Sequence, residues 1–324
     1  MKKILVGALT LVSLAMPWQA SAEEDAMTSA EALLHQMDQA TRQLSYEVSY
    51  ILIKKNSIEP LRYRHAVEED GETFAHLVYL SGPPREVIQR GKEVSYFEPG
   101  LDPFTIDSNR MVAPLPPIMR TNVAELAQFY DFIPMGRSRE AGTACDVVRI
   151  APKDGARYSY LLWMDTRSHL VLRADLLDRD GEPLEQYRAV SFVVNDKVAD
   201  ILESLKSVKL PEVVQLPPQP QVDLSWQVDW LPMGFESISH NRHRLMLTER
   251  PVESQMYTDG LFSFSIYVSA ADGFSVREQL VRQGRRTLHS QLLKDKEITV
   301  VGDIPPATAR RVAESVSFQG ASQP

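Results

Sequence analysis

The chain has 324 residues, 35 basic against 43 acidic for a formal charge of −8, and a single cysteine. That acidic balance argues against a nucleic-acid-binding surface, and one thiol excludes an intrachain disulfide. A membrane helix needs roughly 20 consecutive apolar residues, which no stretch reaches. Met1, Lys2 and Lys3 precede an apolar run from Ile4 to Met16, and Ala20-Ser21-Ala22 stands before Glu23, Glu24 and Asp25. This pattern predicts a secretory signal peptide over residues 1–22, cleaved after Ala22 to give a soluble, exported protein. No cysteine lies near that site to carry a lipid anchor.

Thr28-x-x-Glu31 is a capping-box pattern, and Leu33, Leu34, Met37 and Leu44 then recur at helical spacing. From Leu44 the period changes to two, in LSYEVSYILIK, PLRYRHAV, TFAHLVYL and REVIQR, separated by turn residues. That is an antiparallel meander. A proline-rich insertion with Pro103, Pro114, Pro116 and Pro117 follows, then a short helix from Thr121 to Phe129. Strands resume at Ala144 to Ile150, Arg157 to Met164, Leu170 to Leu177 and Leu184 to Val194, and Val198 to Val208 reads as a helix. Residues 23–208 thus form an N-terminal domain. Residues 209–224 are a proline-rich linker, extended by composition. Residues 225–320 form a smaller C-terminal α+β domain with a hairpin at Tyr257 to Leu261 and helices at Ser275 to Gln283 and from Pro306.

In Tyr158 to Asp165 one face carries Tyr158, Tyr160, Leu162 and Met164, and the other Leu161 and Trp163. An antiparallel sheet normally shows one face to water. Either the helices and the insertion cover both faces, or a concave face stays partly open and holds an acyl chain.

Several motifs fail when their positions are counted. LLDRDGEPLEQY resembles a calcium loop around Gly181, but Leu176 and Tyr187 occupy the positions of the first aspartate and the bidentate glutamate. Asp180-Gly181 between apolar runs is a hairpin signal instead. His240-x-x-His243 lacks the spacing of a zinc protease, and nothing assembles a nucleophile, base and oxyanion donor. No metal, cofactor or catalytic residue is therefore assigned. Cys145 alternates with polar and apolar neighbours like an inert strand thiol. Arg282, Arg285 and Arg286 surround Gly284, where they either complement the end of the predicted helix or bind phosphate. WQVDWLPMGF is expected to dock the linker exit onto the second domain.

LRYRHA, REVIQRGKEVSYFEPGLDPFTID, FYDFIPMGR, KDGARYSYLLWMDT, LRADLLDRDGEPLEQYR, WLPMGF and YTDGLFSFSIYV, in this order, closely resemble the MucB/RseB family of periplasmic sigma-E regulators. The resemblance covers essentially the whole mature chain. It implies a lipoprotein-carrier-like N-terminal domain, an unclosed antiparallel half-barrel with helices across its concave face. It also implies binding to the periplasmic region of the anti-sigma factor RseA, shielding it from site-one proteolysis, with lipopolysaccharide or a related lipid relieving the block. Self-association is a further family property, and a periplasmic lipid or lipoprotein carrier is the alternative function. Tyr96, Phe97, Phe104, Trp163 and Met164 are the expected lining of an apolar cavity. Arg282, Arg285 and Arg286 are the expected contacts to an anionic partner or lipid phosphate.

Overall fold

The computed structural model describes residues 19–318 apart from 69–70, 216–221, 245–250, 274 and 276. The first eighteen residues of the expected signal peptide lie outside the described residues. Helix α1 (Gln19–Gln43) starts well before Thr28, so Thr28 lies inside the helix and the expected capping box does not cap it. The preceding segment is rich in Ala and Glu, which propagate a helix readily. No described helix is long and apolar enough to cross a membrane.

The first sheet is built from β1 (Tyr46–Lys54), β2 (Ser57–Val67), β3 (Thr73–Tyr79), β4 (Glu86–Arg90), β5 (Glu93–Phe97), β6 (Phe104–Asp107), β7 (Tyr130–Glu140), β8 (Thr143–Pro152), β9 (Ser159–Asp165), β10 (Val171–Leu177) and β11 (Pro183–Val194). Its order is β6-β5-β4-β3-β2-β1-β11-β10-β9-β8-β7, with β6 and β7 at opposite edges, so the sheet is open. Strand alternation sets the inner face. On β1, Tyr46, Val48, Tyr50 and Leu52 are buried while their neighbours are half-exposed. Across this face lie α1, with Leu34 and Met37 fully buried, the 3-10 turn Pro117–Arg120 carrying Ile118, and the short helix α2 (Val123–Leu126). Each such buried side chain contributes about 1.5–3 kcal/mol relative to exposure.

A helix, α3 (Lys197–Glu203), follows, and the chain then runs along the free edge of β6. Val213 pairs in parallel with Thr105, whose hydroxyl donates to the Pro211 carbonyl at 2.8 Å. The start of the proline-rich segment thus covers a strand edge that would otherwise recruit another chain.

The second sheet holds β13 (Glu236–Arg244), β14 (Pro251–Thr258), β15 (Ser263–Ala270), β16 (Glu278–Gln283), β17 (Arg286–Leu293) and β18 (Lys296–Gly302), ordered β13-β14-β15-β18-β17-β16. Helix α4 (Pro306–Glu314) packs on β17 and β18, and β12 (Trp226–Val228) pairs with β19 (Val316–Phe318). The expected helix over Ser275 to Gln283 is wrong. Glu278 to Gln283 is a strand paired with Gln291 to Arg286. Gly284, at φ +57°, opens a two-residue hairpin turn there instead of closing a helix.

Candidate functional site: the seam between the two sheets

The turn between β8 and β9 carries Asp154 and Arg157, and the β14–β15 hairpin carries Asp259. Arg157 and Asp259 have fully buried side chains. Arg157 donates through Nη1 to Asp259 Oδ2 and through Nη2 to Asp154 Oδ1, each at 3.0 Å, while its guanidinium lies 4.4 Å over the Tyr130 ring. The Tyr130 hydroxyl also donates to Asp259 Oδ2, at 2.5 Å. The other carboxylate oxygen accepts the Leu261 and Phe262 N–H groups, holding the expected turn at Gly260 (φ +85°). Burial alone would push the Asp154 carboxyl up. The Ala156 and Met233 N–H groups and the Arg157 charge overcome this and hold it below its usual range. Because Met233 belongs to WLPMGF, Asp154 ties that segment to the first sheet. WQVDWLPMGF therefore docks on both sheets, on the first through this bond and on the second through Phe235, whose ring lies 5.0 Å from Phe264 of β15, while β12 pairs with β19 and the Trp230 ring lies under Arg311 of α4.

Apolar contact completes the seam. Phe262 stacks on Tyr160 with centroids 5.9 Å apart and meets Tyr158 edge-on at 6.1 Å. The Tyr158 hydroxyl donates to the Ile304 carbonyl, and Thr121 and Thr308 cross the same boundary to the Gly260 and Ala156 carbonyls. The greasy face bearing Tyr158 and Tyr160 is thus covered at this end by the second sheet, a cover that neither account of the sequence included.

Beside the seam opens a cleft of about 440 Å³ whose lining includes Lys54, Lys55, Glu185, Arg285, Arg286 and Asp303. Arg285 bonds Asp303 at 2.7 Å and faces Glu185 at 3.5 Å, and Arg282 reaches Asp178 at 3.4 Å. Two of the three expected anion-binding arginines therefore neutralise carboxylates across or beside the seam. Arg286 stays 70% exposed, with Asp303 only at 3.8 Å, and joins Lys54 and Lys55 as the cationic rim.

LLDRDGEPLEQY forms the expected hairpin. Asp178 Oδ1 accepts the N–H groups of Asp180 and Glu182, and Gly181 sits at φ +87°. Leu176 and Tyr187 are core residues, and no group of three or more metal-ligating side chains gathers among the described residues. Cys145 is fully buried, and burial pushes its thiol up to about 11. His240 lies on the edge strand β13, bonded to Ser237 and Gln255.

The five expected cavity residues are not brought together. Tyr96 and Phe104 stack at 5.1 Å beside the β6 edge, with Phe97, half-buried, on the opposite face of β5. Trp163 and Met164 lie on β9, across the sheet, and consecutive strand residues face opposite sides. Met164 is in the inner core, while Trp163 lies on the other face under the Arg173 guanidinium at 4.1 Å. The inner face is lined instead by tyrosines. Tyr50 and Tyr187 rings are 4.5 Å apart, Tyr46 and Tyr63 are 5.9 Å apart, and the hydroxyls of Tyr160 and Tyr187 are buried without a partner. The alternation of Tyr46, Val48 and Tyr50 is the available signal in the sequence.

An open half-barrel filled with tyrosine, roofed by helices and clamped to a second sheet through a buried ion pair defines a two-domain binding scaffold. The chain belongs to the MucB/RseB family: the MucB/RseB N-terminal domain matches residues 29–214 and the MucB/RseB C-terminal domain residues 220–317. It is 46% identical to the sigma-E factor regulatory protein RseB of Escherichia coli K12 over 94% of this chain and 95% of that protein. Among solved structures, the Pseudomonas aeruginosa MucA/MucB complex aligns at TM-score 0.73 and 26% identity, covering 90% of this chain and all of that one. A structure of MucB alone aligns at 0.56 with the same identity, covering 90% and 98%.

Proposed function

We propose that this protein is a periplasmic, non-catalytic regulator of a sigma-E-type stress response. It binds the periplasmic part of a membrane-spanning anti-sigma factor and shields it from proteolysis. The observation that carries this reading is the likeness, at TM-score 0.73, to MucB solved in complex with MucA. The seam around Arg157 and Asp259 holds the two sheets together in this protein. The signal peptide of residues 1–22 and a linker at 209–224 belong to the same proposal.

A lipid relieves the block in this reading. Its acyl part takes the tyrosine-lined inner face, where the Tyr160 and Tyr187 hydroxyls already carry a desolvation cost. Its anionic part takes the rim of Lys54, Lys55 and Arg286. The test is a proteolysis assay on the periplasmic segment of the anti-sigma factor, with and without the mature protein and then with added lipopolysaccharide. Slower cleavage, restored by lipopolysaccharide, is the expected outcome, and unchanged cleavage with the folded protein in excess rejects the proposal.

A further inference from the structure

A second, smaller pocket of about 120 Å³ lies between the last turns of α1, strands β2 to β4 and the 3-10 turn Pro117–Arg120. This is about four waters' share of liquid volume, the size of a small oxyanion and little more. Its lining includes Thr41, Arg42, His65, Gln89, Arg110 and Arg120, and no carboxylate side chain is among the residues that line it. In an acidic chain that concentration of cations is itself unusual.

Two of these groups keep hydrogen-bonding capacity to spare. Arg120 is half-buried, donates to the Met111 carbonyl and lies 3.5 Å from the Tyr63 hydroxyl. Its guanidinium has five N–H donors, of which these two bonds use two, it lies 5.9 Å from the Tyr63 ring centroid, and no carboxylate side chain lines the pocket beside it. A cation drawn out of water calls for a counter-ion. Thr41 is only 7% exposed, and its hydroxyl is buried without a hydrogen-bond partner. Arg110 is exposed at the mouth, and Arg42 stands at the rim with Asp38 at 2.7 Å. The walls are held in place by bonds of their own. Gln89 donates to the Gly91 and Asn109 carbonyls, and His65 donates through Nδ1 to the Leu44 carbonyl.

We propose that this pocket binds a tetrahedral oxyanion of the phosphate class, gripped by Arg120 and the Thr41 hydroxyl and closed by Arg110. The site is separate from the rim of Lys54, Lys55 and Arg286 and does not depend on anti-sigma factor binding. The anion is supplied either as a phosphate monoester on a lipid headgroup or as free phosphate, and the test separates the two.

The mature protein is titrated calorimetrically with inorganic phosphate, and in parallel sedimented with phosphatidylcholine vesicles containing or lacking phosphatidic acid. Binding in the first titration assigns free phosphate. Sedimentation only with phosphatidic acid assigns the headgroup. Thr41→Val, which keeps the shape and removes the hydroxyl, is expected to weaken whichever binding is seen roughly tenfold, with recovery in Thr41→Ser. Arg110→Gln, at an exposed position, is expected to weaken it as well. These variants avoid Arg120, whose loss would also unpin the proline-rich insertion. The proposal is overturned if the wild-type protein binds neither probe, or if folded Thr41→Val and Arg110→Gln bind as tightly as wild type.

Discussion

Replacing Asp259 with asparagine tests the seam with the least geometric change. The amide side chain would keep an acceptor oxygen for the Leu261 and Phe262 N–H groups but remove the charge facing Arg157. Both side chains of that pair are fully buried, and losing one partner of such a pair costs about 3–5 kcal/mol. Arg157 keeps its 3.0 Å contact to Asp154, which places Asp259→Asn at the lower end, about 3 kcal/mol. The assay is urea unfolding followed by tryptophan fluorescence, run as a double-mutant cycle with Arg157→Met. A coupling energy of about 1–3 kcal/mol is expected between the two positions, together with faster limited proteolysis within residues 209–224. A change below about 0.5 kcal/mol for Asp259→Asn, the level of an ordinary surface substitution, would refute the claim that this pair fastens the two sheets.

Three further outcomes follow from the same geometry. Gly234 has φ +80°, and a Cβ there would lie 2.4 Å from the Phe129 ring. Gly234→Ala should therefore destabilise by about 1–3 kcal/mol, seen as a lower Tm, and a wild-type Tm would contradict the contact. Burial, the largest influence on His65, holds its pKa below the usual 6.5, so the folded protein keeps the ring neutral and protonation favours the unfolded chain. Its stabilising contribution is full above pH 6.5 and is lost as pH falls through the depressed folded value. The lowered carboxyls of Asp154, Asp165 and Asp178 act in a separate, more acidic window, below 3.8. His65→Gln should flatten the dependence of unfolding free energy on pH just below 6.5, and an unchanged slope there would count against a neutral buried ring. Finally, Lys54→Gln, Lys55→Gln and Arg286→Gln together should weaken sedimentation with lipopolysaccharide, whereas Arg282→Gln, whose charge already meets Asp178, should have a smaller effect. Equal behaviour of the two variants would remove the rim from the proposal.

The first sheet is legible in the sequence wherever strand alternation is regular and the turn chemistry explicit. The alternation of β1 and the Asp180-Gly181 and Asp259-Gly260 turns are examples, each glycine at positive φ. Strand β7 escapes such a reading because Pro134 and Gly136 place a register shift in its middle and most of its residues are exposed, which erases the period of two. Strand β16 reads as a helix because Val276 and Leu280 are spaced like a helix face, although pairing with β17 decides the conformation. The site is less legible than the fold. Arg157 and Asp259 lie 102 residues apart, and each alone resembles an ordinary charge in a polar turn. Only the tertiary fold buries them together. The arginine cluster is visible, but local sequence holds no sign that Asp178, Glu185 and Asp303 meet it. Trp163 and Met164 group together by composition, yet their adjacency on one strand separates them to opposite faces.

The measurement that tests the central claim most directly is equilibrium binding of the mature protein to the purified periplasmic segment of its anti-sigma factor, by calorimetry. The account predicts saturable binding of defined stoichiometry that weakens when Asp259→Asn loosens the seam. No detectable heat and no complex on gel filtration, with both components folded and at micromolar concentration, would contradict it.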